Sequence, residues 1–91
     1  MTIVEPKAEF RSIDEATVMA ALDDTNPDNS VAVEVARLMA GYMANFQSQV
    51  KRLGYIPSDV LHMKPRWPIE AVAMRLTSDA IHQSLASGTR G

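Results

Sequence analysis

Residues 31 to 57 read VAVEVARLMAGYMANFQSQVKRLGYIP, and the spacing of their apolar side chains decides the fold. One row runs Ala32, Ala36, Met39, Met43, Phe46, Val50, Leu53 with spacings that alternate four and three. That is the period of a helix built to pack lengthwise against another. A second row, Val31, Val35, Leu38 and Tyr42, gives way to Asn45, Gln49 and Arg52. The N-terminal half is therefore expected to be apolar on two sides, and the C-terminal half to show one face to a partner and one to water. The helix is predicted from about Val31 to Leu53, ~34 Å long at 1.5 Å per residue. Ser30 or Asp28 would cap its start. Lys51 and Arg52 in the last turn, Gly54 in a left-handed conformation and Pro57 beyond it would stop it. In that arrangement Tyr55 is expected to fold back onto Val50.

Working towards the N-terminus, Asp23-Asp24-Thr25-Asn26-Pro27-Asp28-Asn29-Ser30 gathers residues whose side chains bond nearby backbone, so it reads as a loop. Before it, Ser12 and Glu15 have the spacing of a capping box and Asp14 adds charge suited to a helix start. A short helix over about Ile13 to Leu22 follows, with Val18, Met19 and Leu22 on its apolar face. Residues 1 to 11 contain Pro6 and no sustained period and are expected to be a flexible N-terminal arm. Working the other way, Ser58 can cap a turn or short helix through Met63, ended by Lys64 and Pro65. Pro68 suits the first position of a last helix running to about Ala86, with Glu70 in its first turn and Gly88 as its stop. Its apolar positions split into Ile69, Val72, Ala73, Leu76, Ala80 and a second row of Met74, Ile81, Leu85.

The expected fold class is all-α: a small bundle of three main helices around one long central helix, dimeric, with a single helical domain at 12 to 88 and a flexible tail at 89 to 91. A chain of 91 residues hides only roughly 60 to 65% of its unfolded surface, so burial against a second copy would help it. There is no cysteine, hence no disulfide framework and no thiolate metal site. The opening residues lack a signal peptide's basic start and apolar run, and no apolar stretch approaches the ~20 residues of a bilayer span. A cytoplasmic protein, not embedded in a membrane, is expected.

Charge is unevenly placed. Residues 1 to 34 carry a balance of −6 and residues 35 to 91 one of +4. Either this steers the acidic part onto the basic part, in the same chain or a second copy, or both are ordinary solvated faces.

Groups for catalysis are scarce. His62 and His82 are the only imidazoles; neither has a cysteine, histidine or carboxylate three or four residues after it, and Asp59 three residues before His62 is a weak signal, so surface or structural histidines are the default. No glycine-rich phosphate loop is present. We expect no enzyme activity, no cofactor and no metal. Gly41, inside the long helix, costs about 1 kcal/mol relative to alanine; it either admits a close-packed backbone or is a tolerated glycine near a kink. Trp67 lies in Lys64-Pro65-Arg66-Trp67-Pro68, where Trp and Arg are the residue types richest in interface hot spots; it either anchors a partner or caps the core beneath the connector. The methionines suit adaptable surfaces and also plain core filling.

The run Met43-Ala44-Asn45-Phe46-Gln47-Ser48-Gln49-Val50-Lys51-Arg52-Leu53-Gly54-Tyr55-Ile56-Pro57 resembles the end of the long helix in TraM-type quorum-sensing antiactivators, which closes with a similar Leu-Gly-aromatic-Ile-Pro. That family consists of small helical dimers that bind a LuxR-type transcription activator and stop it engaging DNA, and the QslA antiactivator works comparably. The present chain continues past Pro57 with a further connector and helix. The resemblance implies a homodimeric regulator whose partner is another protein, a transcription activator. Its partner-binding residues would be Met39, Met43, Phe46, Val50 and Leu53 along the seam, with Tyr55, Arg66 and Trp67 at the edge. The alternative is a small DNA-binding or phage-type accessory protein using the basic patch from Lys51 to Arg66. A helix-turn-helix echo in the last helix fails because Thr77 stands where the turn glycine belongs and Asp79 would face phosphate, so nucleic acid is the lesser expectation.

Overall fold

The computed structural model describes residues 4–26, 28–61 and 63–88. His62 and the tail at 89 to 91, like the first three residues of the arm, lie outside the described residues. The fold is all-helical: a 3-10 turn at Ala8–Phe10, then α1 (Glu15–Asp23), α2 (Ser30–Leu53) and α3 (Pro68–Gly88). Each helix packs against both others. At 1.5 Å per residue α2 is ~36 Å long, close to the 37 Å longest dimension of the molecule. Among the described residues no helix is long and apolar enough to cross a membrane.

Helix starts are set by neighbours of the expected caps. α1 begins at Glu15, and Asp14, not Ser12, caps it by accepting from the Thr17 backbone N–H at 2.8 Å. Residues 11 to 13 are held in a turn instead, since Arg11 N–H donates to the Ala8 carbonyl and Ile13 N–H to that of Phe10. The Thr17 bonds hold the Asp14 carboxyl below its ordinary value. α2 is capped by Asn29, whose side-chain oxygen accepts from Ala32 N–H at 3.1 Å. Its amide nitrogen donates at the same time to the Ala21 carbonyl in α1. Neither Ser30 nor Asp28 has a donor and an acceptor so placed, which is why an asparagine ties the end of one helix to the start of the next. Between them Asp24 and Asn26 each accept from the backbone two residues on, as short polar side chains do in turns.

The inward face of α2 differs from the expected seam. The buried row is Val35, Leu38 and Tyr42, continued by Phe46 and Gln49. Met39, Met43 and Val50 of the other row are half-buried on its flank and Ala36 is exposed. Area decides this: Val35, Leu38 and Tyr42 hide far more apolar surface than Ala32 and Ala36 over the same turns, at ~25 cal/mol per Å2. Continuing that row two turns past Tyr42 carries Gln49, expected to face water, into the interior.

In α3, Ile69, Val72 and Ala73 are fully buried as their spacing predicts, but Ala80 is exposed and the inward row continues through Thr77 to Ile81. Thr77 satisfies its hydroxyl by donating to the Ala73 carbonyl at 2.7 Å. The helix is unbroken through Thr77, so no helix-turn-helix corner exists there. The connector turns at Ser58–Leu61 without forming a helix and buries Val60 and Leu61.

The expectation of a flexible arm is corrected over residues 4 to 11. Pro6 and Phe10 are buried, and Val4 packs against Gly41 so closely that a Cβ at Gly41 would meet both Val4 methyls. The close approach that Gly41 allows is thus a side chain of the same protein, not a second backbone. A segment of three anchors on irregular backbone leaves no period to detect, which is why the sequence reads as an arm.

Candidate protein-binding surface

The predicted site residues fall into three groups. Phe46, at 9% exposure, belongs to the core. Met39, Met43 and Val50 are half-buried against that core. Leu53 and Tyr55 are exposed, at 37% and 62%, and Ile56 beside them at 48%. Gly54 adopts the expected left-handed conformation, φ 80°, and its N–H closes the helix on the Val50 carbonyl at 2.8 Å. Tyr55, expected to fold back onto Val50, is largely exposed. The Gly54 turn and Pro57 therefore hold Tyr55 and Ile56 out from the end of α2. Ile56 has no helical period to mark it; its only sequence signal was its place between an exposed aromatic and a proline.

Between α2 and α3, Met43, Phe46 and Gln47 of the one and Ile81, Ser84 and Leu85 of the other line a groove of about 130 Å3. Its floor is apolar, its edges are the polar Gln47 and Ser84, and its size suits one aliphatic side chain. Lys51 and Arg52, exposed in the last turn of α2, border the apolar tip and complement the negative helix end.

Arg66 and Trp67 are placed elsewhere. Trp67 is half-buried, with the Arg11 guanidinium 4.8 Å and the Arg66 guanidinium 5.5 Å from its ring centroid. Arg66 also pairs with Glu5 at 3.3 Å, and Glu5 with Arg11 at 3.5 Å. Trp67 is thus engaged by the N-terminal segment. Of the two readings of this residue, covering its own fold is the one these contacts describe. The charge asymmetry is likewise spent within the chain: Glu5–Arg66, Glu15–Arg75 at 3.6 Å and Glu34–Arg37 at 2.8 Å all join the acidic first part to the basic second.

Among the described residues, both amide atoms of the buried Gln49 have no hydrogen-bond partner, and the buried Tyr42 hydroxyl faces the Glu70 carboxylate without a bond of ordinary geometry. Burial, with the Glu70 carboxylate adding to it, pushes the Tyr42 phenol well above its ordinary value. Glu70 is buried too, and accepts from the Arg66 backbone N–H at 2.8 Å ahead of α3.

These features define a class: a three-helix protein with exposed apolar side chains at the end of its longest helix and an apolar groove between that helix and the last one. The chain matches no protein-family model, and no characterised protein or solved structure is similar to it.

Proposed function

We propose that this chain is a small helical regulatory protein that acts by binding other protein chains, as a cytoplasmic antiactivator that sequesters a LuxR-type transcription activator, and that it does so as a homodimer and without catalysis. The observation that carries the reading is the apolar tip of α2, where Leu53, Tyr55 and Ile56 stand exposed, together with the Met43–Leu85 groove on the same helix. Large apolar side chains held in water, like an apolar groove, mark an interaction site. The resemblance of residues 43–57 to the antiactivator helix end supplies the class of partner, because the Leu-Gly-aromatic-Ile-Pro that carries it is the same tip.

The reading is tested by mixing the chain with a purified LuxR-type activator from the same genome bound to its operator, and following the shifted DNA band. Release of DNA on addition of the chain, lost in Tyr55→Asp and Ile56→Asp, is expected. An activator that stays on DNA at tenfold molar excess of the chain overturns it. Light scattering that finds a monomer at micromolar concentration removes the dimer. Lys51 and Arg52 at the end of α2 and Lys64 and Arg66 in the connector are all exposed, which favours nucleic acid as the second reading. A salt-sensitive shift of DNA by the chain alone puts that reading first.

A further inference from the structure

The N-terminal half of α2 reads the backbone of residues 4 to 7. The Glu34 carboxylate, 2% exposed, accepts the Lys7 backbone N–H at 2.8 Å. It is held in place by Arg37, whose Nε and Nη2 donate to it at 3.0 and 2.8 Å. The same Nη2 donates to the Glu5 carbonyl at 2.5 Å. One Glu–Arg pair, a single turn apart on α2, therefore satisfies a main-chain donor and a main-chain acceptor on either side of Pro6. That residue has no N–H to satisfy, and its ring is fully buried. Val4 fills the notch left open at Gly41. Glu5, between Val4 and Pro6, turns its carboxylate the other way, to Arg11 and Arg66.

Main-chain bonds combined with pockets for alternate side chains are how proteins recognise extended peptides. A carboxylate buried to this degree is costly unless paired and hydrogen-bonded, and part of what offsets that cost is an N–H on a segment outside the helices.

We propose that Glu34, Arg37 and Gly41 form a peptide-binding site, filled in cis by Val4–Lys7 and open in trans to an extended segment of another protein with the order β-branched apolar, acidic, proline. The site lies on the opposite half of α2 from the apolar tip and stands or falls independently of the antiactivator reading. The tethered segment acts as a built-in competitor, since tethering gives it an effective concentration that a free ligand must exceed.

The test uses a fluorescent peptide with the sequence of residues 1–11 and the full chain carrying Val4→Asp and Glu5→Arg, which disable the tethered copy. Saturable anisotropy is expected with this variant, at least tenfold weaker with the unaltered chain, and abolished when Arg37→Ala is added to the variant. No saturable binding to a variant whose helical circular dichroism is intact overturns the proposal, as does equal binding to variant and unaltered chain. Should the variant lose its helices, amide exchange in the unaltered chain decides: Lys7 N–H exchanging at least tenfold faster than Tyr42 N–H is expected of a displaceable segment, and equal rates overturn it.

Discussion

Gln49→Met is expected to stabilise the protein. The side chain is 2% exposed and neither of its amide atoms has a partner. A buried donor or acceptor left unmade costs roughly 1 to 3 kcal/mol, whereas an apolar group of the same shape carries no such cost. Methionine keeps the length and flexibility of glutamine, so it fills the same space without overpacking. Charging the amide with one full penalty, and allowing about 1 kcal/mol for imperfect repacking, leaves a gain of roughly 0 to 2 kcal/mol, centred near 1. For a domain of this size the central value is a rise of about 4 to 8 °C in Tm. The assay is urea unfolding followed by circular dichroism at 222 nm, with the midpoint rising at unchanged slope. Gln49→Ala, which removes the amide but opens a cavity, should lose stability, separating polarity from volume. A loss of 1 kcal/mol or more in Gln49→Met would refute the reasoning, because it would mean that the amide is satisfied in the folded protein.

Tyr42→Phe should cost about 1 kcal/mol, since the hydroxyl it removes is the group that faces the buried Glu70 carboxylate; an unchanged or raised midpoint in the same urea assay contradicts this. Arg37 and Lys7 hold the Glu34 carboxyl below its ordinary value against the opposing effect of burial, so its stabilisation is present above the unfolded-state pKa and lost as pH falls through the folded one. Thermal melts between pH 6 and 3 should show a falling Tm that is shallower in Glu34→Gln, and parallel curves would count against the pair. Asn29→Ala should cost about 1 to 2 kcal/mol, and Asn29→Asp less, because it keeps the cap on Ala32 and gives up only the amide N–H bonds to the Ala21 and Asp24 carbonyls. Gly54→Ala meets no atom within 4 Å, so its expected loss of about 1 to 2 kcal/mol is purely that of a left-handed backbone; Gly54→Asn should lose less, and equal losses would point to packing.

What the sequence disclosed follows the strength of its local signals. The extent of α2, its stop at Gly54 and the start of α3 at Pro68 were legible because glycine, proline and a sustained period each act through backbone sterics within a few residues. Caps were misplaced by one or two residues, at Asp14 for Ser12 and Asn29 for Ser30 or Asp28, since adjacent polar residues all qualify and tertiary ties such as Asn29 to Ala21 choose among them. The inward face of α2 was misread because Gln49 breaks the apolar row, and a row is scored residue by residue whereas burial acts on the whole rod. Of the predicted surface, Leu53 and Tyr55 are exposed. Phe46 is core, because it sits where the seam and the buried row converge. Arg66 and Trp67 were legible as special residues but not as contacts of Glu5 and Arg11, a pairing over more than fifty residues that no local pattern encodes.

These outcomes share a physical pattern. α2 is one rod with two differently completed halves. Around its first half, Glu34, Arg37 and Gly41 are each matched by a group from residues 4 to 7, so that charge, backbone and notch are satisfied inside the chain. At its far end the matching stops: among the described residues Lys51 and Arg52 make no ion pair, Gln49 is buried without partners, and Leu53, Tyr55 and Ile56 face water. Both the oriented apolar side chains and the uncommitted cations lie where the chain's own contacts are weakest. A binding partner arriving there displaces water and no existing bond, whereas one arriving at the first half must first remove residues 4 to 7. The two ends should therefore differ in kinetics as well as in ligand, with fast association at the tip and association limited by release of the segment at the Glu34–Arg37 site.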